Sequence, residues 1–567
     1  MKKRLFACLL TSVMLVAAFG GCGGNGGEPV SSSGGSQSAS GSTSSGAGSD
    51  ASAEEGAARE PGSMPISEEP ITVRIVVPMS AERTVSLNDL DMLKEFSEKS
   101  NVTVEWDEIS NTAFAEKYKL LLATNDLPDA FGPAYAYEST VIFKYGQEGS
   151  IIPLEGLIEE YGVNTKKWFD EREDFRKLST YPDGHIYALP SLDENQNIRV
   201  EAIWWINDTY LQALGMEQPK TLDEMGEYLR AVSSQDLNGD GRNEIGLSFE
   251  IDTANANIPS RLTYLIGYFG DPWDEATYMT QSKEGKGPLE FAPGTDATRK
   301  ALEYFHQWYS EGLIDPEIFT QNNQQLKSKA KTEGVGASLQ FWHLTLNDGD
   351  ESQNAYRVVD MPQNADGTAV WRRNRLIPGY TANQFFITSE NKYPAETLQY
   401  IDYWLDNSEN ALQVRFGPQG YSWDYVEDGK WTELANIPSG EPRTEANSSL
   451  VSPWGYGIPY WCFGDFWAQK HITAAPALER QASLNASGSY IDNATVGLPE
   501  LIYTEEENQE ILQIKPDLFN YVNNQFAKFV TGGVTDQGWD DYQKQLAALG
   551  ADRYAELYNK YYDIFNS

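Results

Sequence analysis

Nine consecutive residues, Asp236-Leu237-Asn238-Gly239-Asp240-Gly241-Arg242-Asn243-Glu244, carry oxygen side chains at positions one, three, five and nine and a glycine at six. Calcium is a hard cation that takes about 6–8 oxygen ligands, and this spacing opens an EF-hand-type loop, the glycine permitting its sharp turn. Asp236, Asn238, Asp240 and Glu244 would offer side chains, and Arg242 its main-chain carbonyl. Position twelve is Leu247, so the bidentate glutamate of a full EF-hand is missing. The competing reading is an Asx-rich turn without metal. The expected cofactor is thus a structural Ca2+ that pins a loop.

Other chemistry finds little support. The histidines at 185, 306, 343 and 471 show no metal-ligand spacing, and beyond Cys22 the only cysteine is Cys462, which argues against zinc or redox work. There is no G-x-S-x-G elbow and no phosphate-cradling G-x-x-x-x-G-K loop, so any ATP hydrolysis belongs to another subunit. The 83 acidic residues would place carboxylate pairs at glycosidase distances by chance, so such pairs carry no signal. No catalytic residue is expected. The formal charge of −40 repels nucleic acid and anionic headgroups. Fifteen Trp and 31 Tyr suit a core and also a cleft for ligands with apolar faces and polar edges, as sugars have.

These residues need elements to position them. Met1-Lys2-Lys3-Arg4, the apolar run 5–19 and Gly20-Gly21-Cys22 follow the order of a secretory signal, assigned to 1–21. Cys22 after small residues resembles a bacterial lipobox, in which that thiol is acylated. Residues 22–65 form a tether rich in Gly, Ser and Ala, which make up 29 of the 43 residues from 22 to 64. A chain of that kind stays disordered and reaches roughly 35–40 Å. The 502 residues from Ile66 onward exceed one ordinary core and fit two lobes. Ile71, Val73, Ile75 and Val77, then a helix with Leu93 and Phe96, then Val102, Val104 and Trp106 predict a parallel pair with a crossover helix. Thr221 to Glu224 is a capping box opening an apolar face of Leu222, Met225, Leu229 and Val232. Leu302, Phe305 and Trp308 mark a further helix, and Pro394 starts another. The alternation predicts an α/β fold with mostly parallel sheets.

Five phrases, GSIIPLEGLIEEYGVNT, TYPDGHIYALPSLDEN, IWWINDTYLQALGMEQPKTLDEMGEYLRAV, WYSEGLIDPEIFTQ and FGPQGYSWDY, come in an order that resembles extracellular solute-binding protein family 1. These are lipoprotein components of carbohydrate ABC importers. The resemblance implies a two-lobed, periplasmic-binding-protein-like fold of type II, with a hinge and a ligand cleft between lobes. By that likeness lobe 1 is 66–190 plus 380–450 and lobe 2 is 195–375 plus 455–567. It further implies a carbohydrate ligand, ABC permease subunits as partners, a lipid anchor on the outer face of the cell membrane, and a monomer. Many family members carry a similar acidic loop, most with an acidic pair where this chain has Asn243-Glu244. Two other readings are a lipid-anchored glycoside hydrolase or lyase, which turnover would reveal, and a binding protein that feeds a sensor kinase.

Ligands in open α/β sheets sit at the carboxyl ends of strands. The expected ligand contacts are therefore Arg83 in the loop after the first strand, Tyr135 and Tyr137 after Gly132-Pro133, Asp193 and Asn195 at the first crossing, and Tyr380 at the second. Trp342, ending the run 334–341, resembles the aromatic that stacks on sugar in maltose-type binding proteins. A pyranose offers C–H faces to aromatic rings and hydroxyls to Asp, Asn and Arg. Core packing is the alternative for every aromatic. It is favoured for at least one of Trp204 and Trp205. The cluster Trp454, Tyr456, Tyr460, Trp461, Phe466 and Trp467 could line the cleft or plug the space between lobes.

Overall fold

The computed structural model describes residues 60–80, 83–194, 202–250, 260–280, 282, 283, 285, 287–340, 346, 355–373, 376, 377, 379–443, 447, 450–453, 457–470 and 488–567. β1 (Ile71–Met79) is buried on both faces: Val73, Ile75 and Val77 enter one core and Val76 another. That is the pattern of a strand covered by helices on each side. Helix α1 (Asp91–Ser100) buries Met92, Leu93 and Phe96 and stops at Asn101, which takes a left-handed φ of 58°. β2 (Val102–Ser110) then runs parallel to β1, from Ile71 opposite Val102 to Met79 opposite Ser110, as the periodicity predicts. Helix α2 (Asn111–Thr124) leads to β3 (Ala130–Phe131), parallel to β1, and helix α3 (Ser139–Gln147) follows.

After β4 (Leu189–Asp193) the chain builds a second sheet from β5 (Ile203–Asn207), β6 (Ile245–Leu247), β7 (Val335–Gln340) and β8 (Tyr356–Val358). It returns along β9 (Tyr380–Ile387), forms a hairpin of β10 (Trp423–Tyr425) and β11 (Trp431–Glu433), and adds β12 (Trp461–Cys462). The strand orders are β12-β4-β9-β3-β1-β2 and β6-β7-β5-β8. The sheets are mixed rather than mostly parallel. β9 runs against β3 and β4, and β5 runs against β7 and β8. The cause is connectivity. β5 and β9 are the strands by which the chain enters each lobe from the other, so they begin at the edge where their neighbours end.

Helix signals in the sequence hold. The helix Leu222–Ser233 has the full Thr221–Glu224 capping box and buries Leu222, Met225, Leu229 and Val232. The helix Asp296–Ser310 buries Leu302, Phe305 and Trp308, and Pro394 opens the helix Pro394–Asp402. The boundary expected at 455 moves. β12 pairs with β4, and Ile458, Tyr460, Trp461, Phe463 and Phe466 join the first lobe's core, so 457–470 sit with the first sheet. The second core is completed by the helices Glu505–Gly532, Asp536–Ala548 and Ala551–Asn566. Tyr554, Tyr558 and Tyr562 recur at helical spacing on its buried face, which accounts for part of the tyrosine content.

Candidate functional site

Strand direction collects the ends of β1, β3, β4 and β12 and the start of β9 on one edge of the first sheet, where Leu192 faces Tyr380 and Asp193 faces Cys462. In the second sheet the start of β5 meets the end of β7, Ile203 opposite Gln340. In sequence, residues 194–202 lead from the end of β4 to the start of β5. The described cavities of about 450 Å³, beside Phe291 and Leu546, and about 70 Å³, beside Ile66 and Asp402, lie elsewhere.

The first edge holds most of the expected ligand residues, differently engaged. Tyr135 is 82% exposed. Tyr137, two residues on, is packed edge-on against Phe114, Tyr118 and Phe386, and its hydroxyl donates to the Gly132 carbonyl at 2.8 Å. Burial holds its phenol well above the ordinary range. Its ring therefore shapes the loop from inside. Arg83 is buried, with Nε on the Val85 carbonyl at 2.8 Å and Nη1 on the Ser452 carbonyl at 3.0 Å. Asp193 Oδ1 accepts the indole N–H of Trp467 at 2.9 Å. Next to it Glu194 pairs with Arg172 at 2.9 Å and accepts the Gly464 N–H at 3.0 Å. Tyr380 is buried edge-on to Phe175, its hydroxyl 3.3 Å from Ser179 Oγ. Asn195 and Trp342 lie outside the described residues, as do Trp454 and Tyr456. Tyr460, Trp461 and Phe466 are core, as are both Trp204 and Trp205; Trp467 is half-buried.

The second edge contains groups that sequence reading missed. Glu250 Oε1 accepts from Arg261 at 2.8 Å, and its Oε2 accepts from Gln340 Nε2 at 2.6 Å, all three side chains being buried. Trp205 Nε1 donates to the Gln340 carbonyl at 3.0 Å. Behind them Arg372, wholly buried, pairs with Glu275 at 2.8 Å and lies 3.7 Å over the Tyr264 ring. Only Gln340 carried a hint, as the polar residue closing an apolar run just before Trp342.

The acidic loop follows the helix Leu222–Ser233 and runs straight into β6, so it is helix–loop–strand, with Leu247 at position twelve fully buried. Gly239 and Gly241 take φ of 81° and 90°, as the turn needs. Asp236 accepts main-chain N–H groups from Gly239, Asp240 and Gly241 at 2.7–3.1 Å, and Asp240 pairs with the Arg242 guanidinium at 2.8 Å. Among the described residues no three His, Cys, Asp or Glu side chains converge closely enough to hold an ion as they stand. The donor set still fits calcium. Glu244 is 3% exposed, its Oε1 takes the N–H groups of Leu237 and Asn238, and its buried Oε2 has no hydrogen-bond partner. Gly334 closes the loop from behind: a Cβ there would come within 2.5 Å of the Tyr210 hydroxyl and 2.7 Å of Glu244 Cγ.

No family model matches the chain. The fructooligosaccharide ABC transporter substrate-binding protein FusA of Streptococcus pneumoniae serotype 4 is 26% identical over 514 residues, 88% of this chain and 91% of that protein. Lipoprotein LipO of Bacillus subtilis is 21% identical over 515 residues, 87% of this chain and 92% of that protein. The structure of FusA in complex with kestose matches with a TM-score of 0.69 at 24% identity, over 88% of this chain and 99% of that one. An HMO-binding, ABC-transporter-associated solute-binding protein from Bifidobacterium longum infantis matches with a TM-score of 0.72 at 20% identity, over the same shares of each chain. The chain is thus similar, over nearly its whole length, to substrate-binding proteins of ABC transporters. The likeness covers most of this chain and 99% of each solved one, so the chain has their two-lobed fold. FusA has also been solved as an EF-hand mutant in complex with fructo-nystose.

Proposed function

We propose that this protein is the capture subunit of a carbohydrate ABC importer. It closes its lobes over an oligosaccharide at the seam and releases it unaltered to permease subunits in the membrane. Near full-length likeness to a fructooligosaccharide-binding protein, spanning both lobes and their crossings, carries the reading. In this reading the exposed Tyr135, with Trp342, offers faces to sugar C–H groups, while Asp193, Asn195 and Arg83 serve hydroxyls or the loops that meet them. Tyr137 and Tyr380 support those loops from the core. A sugar closes the lobes only to the extent that it binds the closed form more tightly than the open one. Acylated Cys22 and the tether that follows would hold a monomeric body on the outer face of the membrane.

Calcium fits the loop at 236–244. The side chains of Asp236, Asn238, Asp240 and Glu244 and the Arg242 carbonyl would hold it. When bound, the ion supplies the positive charge that lets three carboxylates share one turn. Its role is to fix the entry to β6, remote from the sugar.

Titration calorimetry of the purified protein against a glycan panel that includes kestose tests the function. Saturable binding with every glycan recovered intact is expected, and Trp342→Ala should weaken it at least tenfold. Cleavage products in the recovered ligand would move the protein to the glycoside hydrolases or lyases.

A further inference from the structure

β9 is irregular. Its pairing with β4 steps from Leu189–Phe385 to Ser191–Thr381, and within the excess stretch Asn383 has a φ of 58°. Left-handed backbone is uncommon outside glycine, and a bulge in a buried strand re-aims a side chain at the cost of local regularity. Here it aims two. Asn383 and Gln384 are 5% and 3% exposed. Asn383 Oδ1 accepts from the Tyr181 hydroxyl at 2.6 Å, its Nδ2 donates to Ser139 Oγ at 2.8 Å, and Ser139 Oγ donates to Glu500 Oε1 at 2.9 Å. Glu500 comes from the other lobe, flanked by Leu498 and Leu501 of the second core. Three hydrogen bonds, each passing donor to acceptor in the same direction, thus lead out of the first lobe and end on a carboxylate of the second. Asn508 Nδ2 reaches Thr140 Oγ1 alongside, at 3.4 Å.

Gln384 faces the other way. Its Nε2 donates to the carbonyls of Ala134 and Ala382, both at 2.9 Å, and so grips the loop that carries Tyr135. One irregularity in one strand therefore holds both the candidate ligand loop and the contact between lobes.

We propose that the β9 bulge couples the two: Asn383 and Gln384 are positioning residues that make the placement of loop 134–137 and the Ser139–Glu500 contact parts of one equilibrium. For its ligand half, the inference rests on the capture reading above. Tyr181, Asn383 and Ser139 are buried, so the bonds between them are costly to leave half-made, while Glu500 is exposed and makes or breaks the last link in competition with water. Lobe angle and loop position then shift together.

The test uses the full chain, spin-labelled through Glu98→Cys and Lys544→Cys, with the interlobe distance read by pulsed electron resonance. Glu500→Ala, Ser139→Ala and Asn383→Gly, the last keeping the left-handed φ accessible, are each expected to shift the distance distribution to the same new position. Each is also expected to weaken kestose binding about fivefold. The pair Glu500→Ala with Asn383→Gly should be no worse than either alone, because both cut one chain. An unmoved distribution in both Glu500→Ala and Ser139→Ala, or additive losses in the pair, would overturn the proposal. Wild-type protein that binds neither kestose nor any other glycan on the panel would sink the capture reading, while the distance comparison would still decide the coupling.

Discussion

The two sheet edges are anchored differently. On the first, Arg83 reaches two carbonyls, Asp193 an indole N–H and Tyr380 a serine hydroxyl, beside the partly exposed pair of Glu194 with Arg172. On the second, buried charge answers buried charge, in Glu250 with Arg261 and in Arg372 with Glu275. Removing one partner of a buried ion pair strands the other charge in a poorly solvating interior, which costs far more than losing a hydrogen bond at a half-exposed site. Loss of Arg372 should therefore cost more than loss of Asp193.

Arg372→Ala is the harshest way to break this contrast. Glu275 would lose the guanidinium from a buried ion pair, and urea unfolding should show a loss of about 3–5 kcal/mol; a loss under about 1 kcal/mol would erase the difference between the edges. On the other side, Asp193→Ala should lose about 1–3 kcal/mol by the same measurement, and Asp193→Asn should recover much of it, since an amide oxygen can still accept from Trp467. Stripping divalent metal with a chelator should lower the melting temperature by a few degrees, and calcium should restore it. Glu244→Gln protein should not respond, which would confine the effect to the second lobe.

The smallest effect concerns pH, in the first lobe. His185 Nδ1 lies 2.6 Å from Glu155 Oε1. The hydrogen bond it donates to Glu155 raises the imidazole above its ordinary pKa. Burial pushes Glu155 up, but the bonds from His185 and the Ile186 N–H outweigh it and leave it below the ordinary carboxylate value. The histidine's contribution is complete below its unfolded pKa of about 6.5 and disappears as pH rises through its raised folded value. The glutamate's is complete above about 4.3 and is lost as pH falls through its lowered value. His185→Gln should thus lower the melting temperature most near pH 6 and not at all by about pH 9.

Local patterns were readable in the sequence. β1–α1–β2 followed from the spacing of Val73, Ile75, Val77, Phe96, Val102 and Val104, and the acidic loop from nine residues in a row. What distance in the chain brings together was not. Gln340 and Glu250 are ninety positions apart and Glu500 and Ser139 farther still, and no short window contains either pair. Tyr137 and Tyr380 show another limit: a ring with a polar tip serves a core as readily as a cleft, and the enclosing rings are not visible in the sequence. β12, two residues long, has too little pattern to declare its sheet, which moved the lobe boundary.

Cys462 closes β12 directly opposite Asp193, fully buried. Burial, reinforced by the Asp193 charge, pushes its thiol well above the usual range. Oxidants and alkylating reagents attack the thiolate, so this sulfur stays inert while the lobe is folded. Its alkylation by a membrane-impermeant reagent would therefore report the opening of the first sheet itself, a clock for unfolding that ordinary hinge motion does not start.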